Sequence, residues 1–147
     1  MELNTNNIII SNIDSYTISF YNNSMILNKK ILNKLTLKEL TNYDFKKSNI
    51  IDCKINNIKL DFKRYKPIIF YLYELINNIE LVLSNTLLNI KNGKNEDRGF
   101  SYLEKLDISI QGVDANKSVQ EIVNISKICN IILDIKIKLE NNKIINL

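Results

Sequence analysis

The chain has 147 residues and no histidine. That removes the commonest general base, the usual proton shuttle and the commonest metal ligand together. It also excludes a Ser-His-Asp or Cys-His arrangement. Cys53 and Cys129 are the only cysteines, far apart and outside any C-x-x-C spacing. They cannot complete a structural zinc site, and no disulfide follows from them; two buried free thiols are expected. Carboxylate-only or lysine-based catalysis needs neither residue type, but no D-x-D or EF-hand spacing is present. The expectation is a non-enzyme without catalytic residues, cofactor or metal.

Three polar constellations remain. Tyr65, Tyr71 and Tyr73 crowd together beside Lys63, Arg64 and Lys66. Interleaved cations and aromatics can stack on nucleic-acid bases or anchor a protein interface. The plainer reading is lysines that snorkel from a sheet edge beside tyrosines packed with their hydroxyls outward. Glu96-Asp97, next to Arg98 and Gly99, sits in the polar stretch Asn92 to Gly99, with Tyr102 just beyond. That stretch is a partner-facing loop or simply an exposed charged one. Asp114 is either a carboxylate at the C-terminal end of a strand or, more plainly, a helix cap. The residues singled out for partner contact are Arg64, Tyr65, Tyr73, Glu96, Asp97, Arg98 and Tyr102.

Elements to position these residues follow from periodicity. Ser15 to Leu27 alternates about Asn22-Asn23, Ile50 to Phe62 about Asn56-Asn57, and Ile131 to Ile145 about Asn141-Asn142, so three β-hairpins are expected. Ile8 to Ile13 adds a candidate edge strand. Ile51, Cys53 and Ile55 should share one face. Thr36 and Glu39 have capping-box spacing, which starts a short helix. Ile68, Leu72, Leu75, Ile76, Ile79, Leu83, Leu87 and Ile90 recur at helical spacing, which predicts one long central helix from Pro67 to Ile90. Leu106 to Ile110 reads as a strand. Asp114 or Asn116 can cap a shorter C-terminal helix, with Ser118 and Glu121 again at capping-box spacing. If the Leu106 and Ile131 strands are parallel neighbours, their crossover should be right-handed.

The sum is one α+β domain over residues 1–147, an antiparallel or mixed sheet of three hairpins packed on one long and one shorter helix. An apolar fraction of 45% and a charged fraction of 24% are ordinary for a folded domain. The excess of Ile, Asn and Lys reflects adenine- and thymine-rich codons, as in a low-GC bacterium or phage. From Lys29 to Lys66 there are eleven Lys or Arg against four acids, an excess of seven within a total of +4. That half could meet an acidic protein or nucleic acid, although lysine rather than arginine dominates it. Lysine on hairpin edges also blocks edge-to-edge association. Met1 to Asn7 carries no basic n-region and no apolar run approaches a membrane span, so cytoplasmic residence is expected. The functional expectation is a protein-binding module such as a small inhibitor, an immunity protein or an accessory subunit of a toxin, phage or mobile-element system. The alternatives are nucleic-acid binding through the basic region, or carriage of an apolar ligand beneath the long helix.

Overall fold

Asparagine tolerates the left-handed backbone region better than other non-glycine residues, and this chain uses it repeatedly to reverse direction. In the computed structural model, which describes residues 34–147 except Glu96, Asn56 and Asn57 have φ of 50° and 66°. Two consecutive positive φ values make the tight turn whose twist matches a hairpin. The turn joins β1 (Asn49–Ile55) to β2 (Ile58–Lys59), with Ile55 opposite Ile58 and Lys54 opposite Lys59. At the C-terminus, Asn142 has φ 70° and reverses the chain between β6 (Leu133–Lys138) and β7 (Ile144–Asn146). The hairpin expected over Ser15 to Leu27 and the strand over Ile8 to Ile13 lie outside the described residues.

These two hairpins join through β1 and β6 into an antiparallel four-stranded sheet of order β2-β1-β6-β7. The Asn56 side-chain oxygen accepts the Ile132 amide at 2.9 Å, while the Asn56 amide donates to the Ile132 carbonyl at 2.8 Å, which pins the turn to the entry of β6. On one face Ile50 pairs with Ile137, Cys53 with Ile135 and Ile55 with Leu133, all buried. On the other face Asp52 sits opposite Lys136 and Lys54 opposite Asp134. Opposite charges in register favour this alignment, and a one-residue slip would turn the isoleucines to water. Ile51 departs from the expected face. A register shift between Ile50 and Asp52 turns it outward, 47% exposed, so Ile50 takes the inner place beside Cys53 and Ile55.

The long helix expected from Pro67 to Ile90 is two helices, α2 (Tyr65–Ile76) and α3 (Ile79–Asn85). Asn77 adopts φ 50° and ends α2, its amide donating to the Tyr73 carbonyl at 2.9 Å. Asn78 then caps α3, its side-chain oxygen accepting the Leu81 amide at 3.1 Å. Ile90 belongs not to a helix but to β3 (Ile90–Asn92). With β4 (Phe100–Leu103) and β5 (Ile108–Gln111), β3 forms a three-stranded antiparallel sheet of order β3-β5-β4. The strand read from Leu106 therefore begins at Ile108, after the 3-10 turn Glu104–Leu106 and Asp107 at φ 52°. β5 and β6 lie in different sheets, so the condition for a right-handed parallel crossover between them is not met, and the described strands pair antiparallel throughout.

The central position falls to α4 (Ala115–Ile128), against which α1 (Leu37–Leu40), α2 and α3 all pack. It buries Ser118, Val119, Glu121, Ile122, Val123, Asn124, Ile125 and Ser126, more than a single amphipathic stripe. Asp114 caps it, accepting the Lys117 amide at 2.9 Å. Asn116 instead bridges to the segment after α1, taking the Phe45 amide at 2.6 Å and donating to Asp44 at 3.2 Å. The expected Ser118–Glu121 box is absent because both residues are inside the helix and buried. The Thr36–Glu39 box is present in both directions, at 3.1 and 2.8 Å. The fold is α+β with four helices and two antiparallel sheets among the described residues.

Candidate docking groove

Helical periodicity divides α2 into two faces. Ile68, Ile69, Leu72 and Tyr73 are buried, whereas Lys66, Pro67, Phe70, Tyr71 and Glu74 lie along the opposite side at spacings of three and four. Phe62 stands beside that outer side, its ring edge-on to Tyr71 with centroids 5.8 Å apart. Together Phe62, Arg64, Lys66, Pro67, Phe70, Tyr71 and Glu74 line an open groove. Its floor is aromatic. Its cations gather where the helix begins: Arg64 is the residue preceding the first turn, and the Lys66 ammonium sits 5.9 Å from the Phe70 ring centroid.

Arg64 does not cap the helix with its side chain, and the first turn of α2 holds no acid. This is an unusual charge order, since the positive end of a helix dipole normally attracts carboxylates. Lys63, just outside, pairs with Asp61 at 3.4 Å on the exposed surface. Glu74 marks the opposite end of the groove.

Of the residues singled out from sequence, Arg64 alone lines this groove. Tyr65 is half-buried and its hydroxyl meets Ser48 at 2.5 Å, with burial raising its pKa above the ordinary phenol value. Tyr73 has no exposed surface and is corrected from rim to interior. Lys66 and Tyr71, which the sequence grouped with Arg64, also line the groove, while Phe62, Pro67, Phe70 and Glu74 were missed. Positions 66, 70 and 74, one turn apart, carry a legible signal for Phe70 and Glu74, whereas Phe62 precedes the helix.

Asp97, Arg98 and Tyr102 sit on different elements from the groove, in and beside the β3–β4 loop. Lys91 holds Asp97 at 2.6 Å, and that hydrogen-bonded charge keeps the Asp97 carboxyl below its usual pKa. The same ammonium lies 4.7 Å from the Phe100 ring centroid. Tyr102 donates to Asp107 at 2.6 Å, which raises its phenol pKa. Arg98 is exposed. The Glu96 side chain lies outside the described residues. The loop is braced from within by buried Ser109, which accepts the Asn95 amide at 2.9 Å and donates to the Gly93 carbonyl at 2.7 Å.

One buried carboxylate could in principle do chemistry. Glu121 is 0% exposed. One of its oxygens accepts from the Tyr73 hydroxyl and from Thr86 at 2.7 Å; the other accepts the Leu87 amide at 2.9 Å and Asn124 at 3.3 Å. Burial, followed by the nearby carboxylate, pushes the Tyr73 phenol far above its ordinary pKa. With both oxygens occupied by protein donors and no exposed surface, the group ties α2, α4 and the exit of α3 together. No family model matches the chain, and no curated protein or solved structure matches it.

Proposed function

We propose that this protein works by contact, docking on a larger protein through the aromatic and cationic groove along α2, as a small inhibitor, immunity protein or accessory subunit does. The observation that carries the reading is the outward placement of Phe62, Pro67, Phe70 and Tyr71 in one groove rimmed by Arg64 and Lys66. Aromatic and arginine side chains concentrate binding free energy at protein interfaces, because each brings large apolar area together with a directional polar group. The lack of histidine supports a role without turnover.

A second reading draws on the same residues. Cations interleaved with aromatic faces also suit a single-stranded nucleic acid, with bases on Phe62, Phe70 or Tyr71 and phosphates on Lys63, Arg64 and Lys66. The segment that the carrier reading placed over a pocket is two helices, α2 and α3, joined at Asn77-Asn78.

Affinity capture with the full chain from its native host, run beside a Phe70→Asp variant, separates these readings. A stoichiometric protein recovered by the wild type and lost with the variant is expected. Recovery of nucleic acid in its place favours the second reading, and identical recoveries with both baits overturn the groove as the site.

A further inference from the structure

Resting on that docking reading, the charge distribution along the groove identifies the chemistry of its occupant. We propose that the groove takes an acidic protein segment in which carboxylates flank one aromatic or large aliphatic anchor, the carboxylates lying at the Arg64 and Lys66 end.

The apolar floor of Phe62, Pro67, Phe70 and Tyr71 is where the anchor side chain enters. The rim carries charge without a counterpart. Lys47, Lys63 and Lys91 have a carboxylate partner, whereas most other described cations, Arg98 among them, have none, so what sets Arg64 and Lys66 apart is their place beside the aromatic lining. Arg64 forms no ion pair among the described residues, and Lys66 has a ring beneath it instead of an acid. Both are exposed, so they are free to meet a carboxylate brought by a partner, and an arginine fork pairs with one in two-point geometry. The backbone dipole of α2 adds to the same sign at the same end, where no acid of the first turn offsets it.

Glu74 favours a polypeptide over a nucleic acid. A phosphate chain running the length of the groove would bring continuous negative charge against this carboxylate at the far end. A polypeptide is not so constrained, because it can place acids only at the cationic end and a neutral or basic residue beside Glu74. Such complementarity sets orientation and encounter rate more than raw affinity.

The test is a display selection of random peptides of about a dozen residues against the full-length chain, with the Phe70→Asp variant as the counter-bait. Enriched peptides are then measured by fluorescence anisotropy. The expected result is enrichment of sequences with Asp or Glu next to one Phe, Leu or Trp. Their affinity should fall roughly tenfold or more on the double reversal R64E/K66E, and also on raising salt beyond physiological strength, while Tm stays unchanged. If the reversal lowers Tm, the neutral pair R64Q/K66Q gives the same comparison at smaller charge change. Peptides lost with Phe70→Asp but neutral or basic in composition, and indifferent to R64E/K66E, would overturn the acidic partner and leave docking intact. Peptides indifferent to both changes, or no enrichment over the counter-bait, would overturn both. A labelled oligouridylate that binds wild type and is released by R64E/K66E, with no peptide competing, would reassign the groove to nucleic acid.

Discussion

The residue that carries most polar weight inside the described fold is Glu121. Removing its carboxylate strands the Leu87 amide and takes one partner each from the Tyr73 hydroxyl, which keeps Thr86, and from the Asn124 side-chain amide, which keeps the Asn85 carbonyl. Unmade buried hydrogen bonds cost more than the made ones contribute, so Glu121→Ala should destabilise by about 3 kcal/mol or more in a denaturant titration. Glu121→Gln keeps two acceptor sites and should lose about 1 to 2 kcal/mol. Equal losses for both would mean that the cluster depends on side-chain volume rather than on acceptors. Cys53 supplies a second residue-scale expectation. Burial pushes its thiol up to about 11 from an ordinary 9.0. As pH rises past 9.0 the unfolded chain releases a proton that the folded one retains. The contribution is therefore whole below that value and lost on the way to about 11, and unfolding should become easier in alkali. Cys53→Ala should flatten that limb of the stability profile even though the cavity lowers its overall height, and a wild-type slope would refute the assignment. Tyr73, raised in the same direction, adds a further alkaline loss.

Among the elements, asparagine pairs punctuate the chain, and the geometry of each pair tells which substitution helps. Asn57 occupies φ 66° in a hairpin turn and Asn77 occupies φ 50° at a helix end. Glycine enters that region without the steric penalty of a Cβ atom, so Asn57→Gly should raise stability by a few tenths of a kcal/mol to about 1 kcal/mol. Asn77→Ala should cost about 1 kcal/mol for the same reason. Asn78 acts through its side chain instead, and Asn78→Ala should cost about 1 kcal/mol by orphaning the Leu81 amide. Thermal melts of the three variants check the set; if Asn78→Ala leaves Tm untouched, the cap has no energetic role. Alanine at both 77 and 78 would also favour the continuous helix that apolar spacing suggested, with a rise in helical circular dichroism as its signature.

On the scale of the whole molecule, structure divides polar residues into those that hold the fold and those left for a partner. Tyr65 and Tyr73 belong to the first group, so Tyr65→Ala and Tyr73→Ala should lower Tm whatever they do to binding. Arg64 belongs to the second, and Arg64→Ala should leave Tm within about a degree while weakening association. The same outcome is expected of Arg98→Ala only if the β3–β4 loop also touches the partner. Among the described residues no helix is long and apolar enough to cross a membrane.

Local chemistry was legible in the chain itself. Two described Asn-Asn turns, the Thr36 and Asp114 caps and the α+β class depend on residues within a few positions of one another, and turn and cap preferences act at that range. The break at Asn77-Asn78 was legible by the same rule, but the stronger apolar period masked it. The sequence also grouped Arg64, Lys66 and Tyr71 in one cluster, and all three line the groove, Lys66 and Tyr71 from α2 and Arg64 from the residue before it. Tertiary packing decided what no local preference encodes. It chose α4 rather than the more apolar segment from 67 to 90 as the central helix. It paired Ile90–Asn92 and Phe100–Leu103 with β5, two strands too short to announce themselves. It also drew Glu121 and Tyr73 inward, since a buried carboxylate and phenol persist only where donors from distant parts of the chain converge.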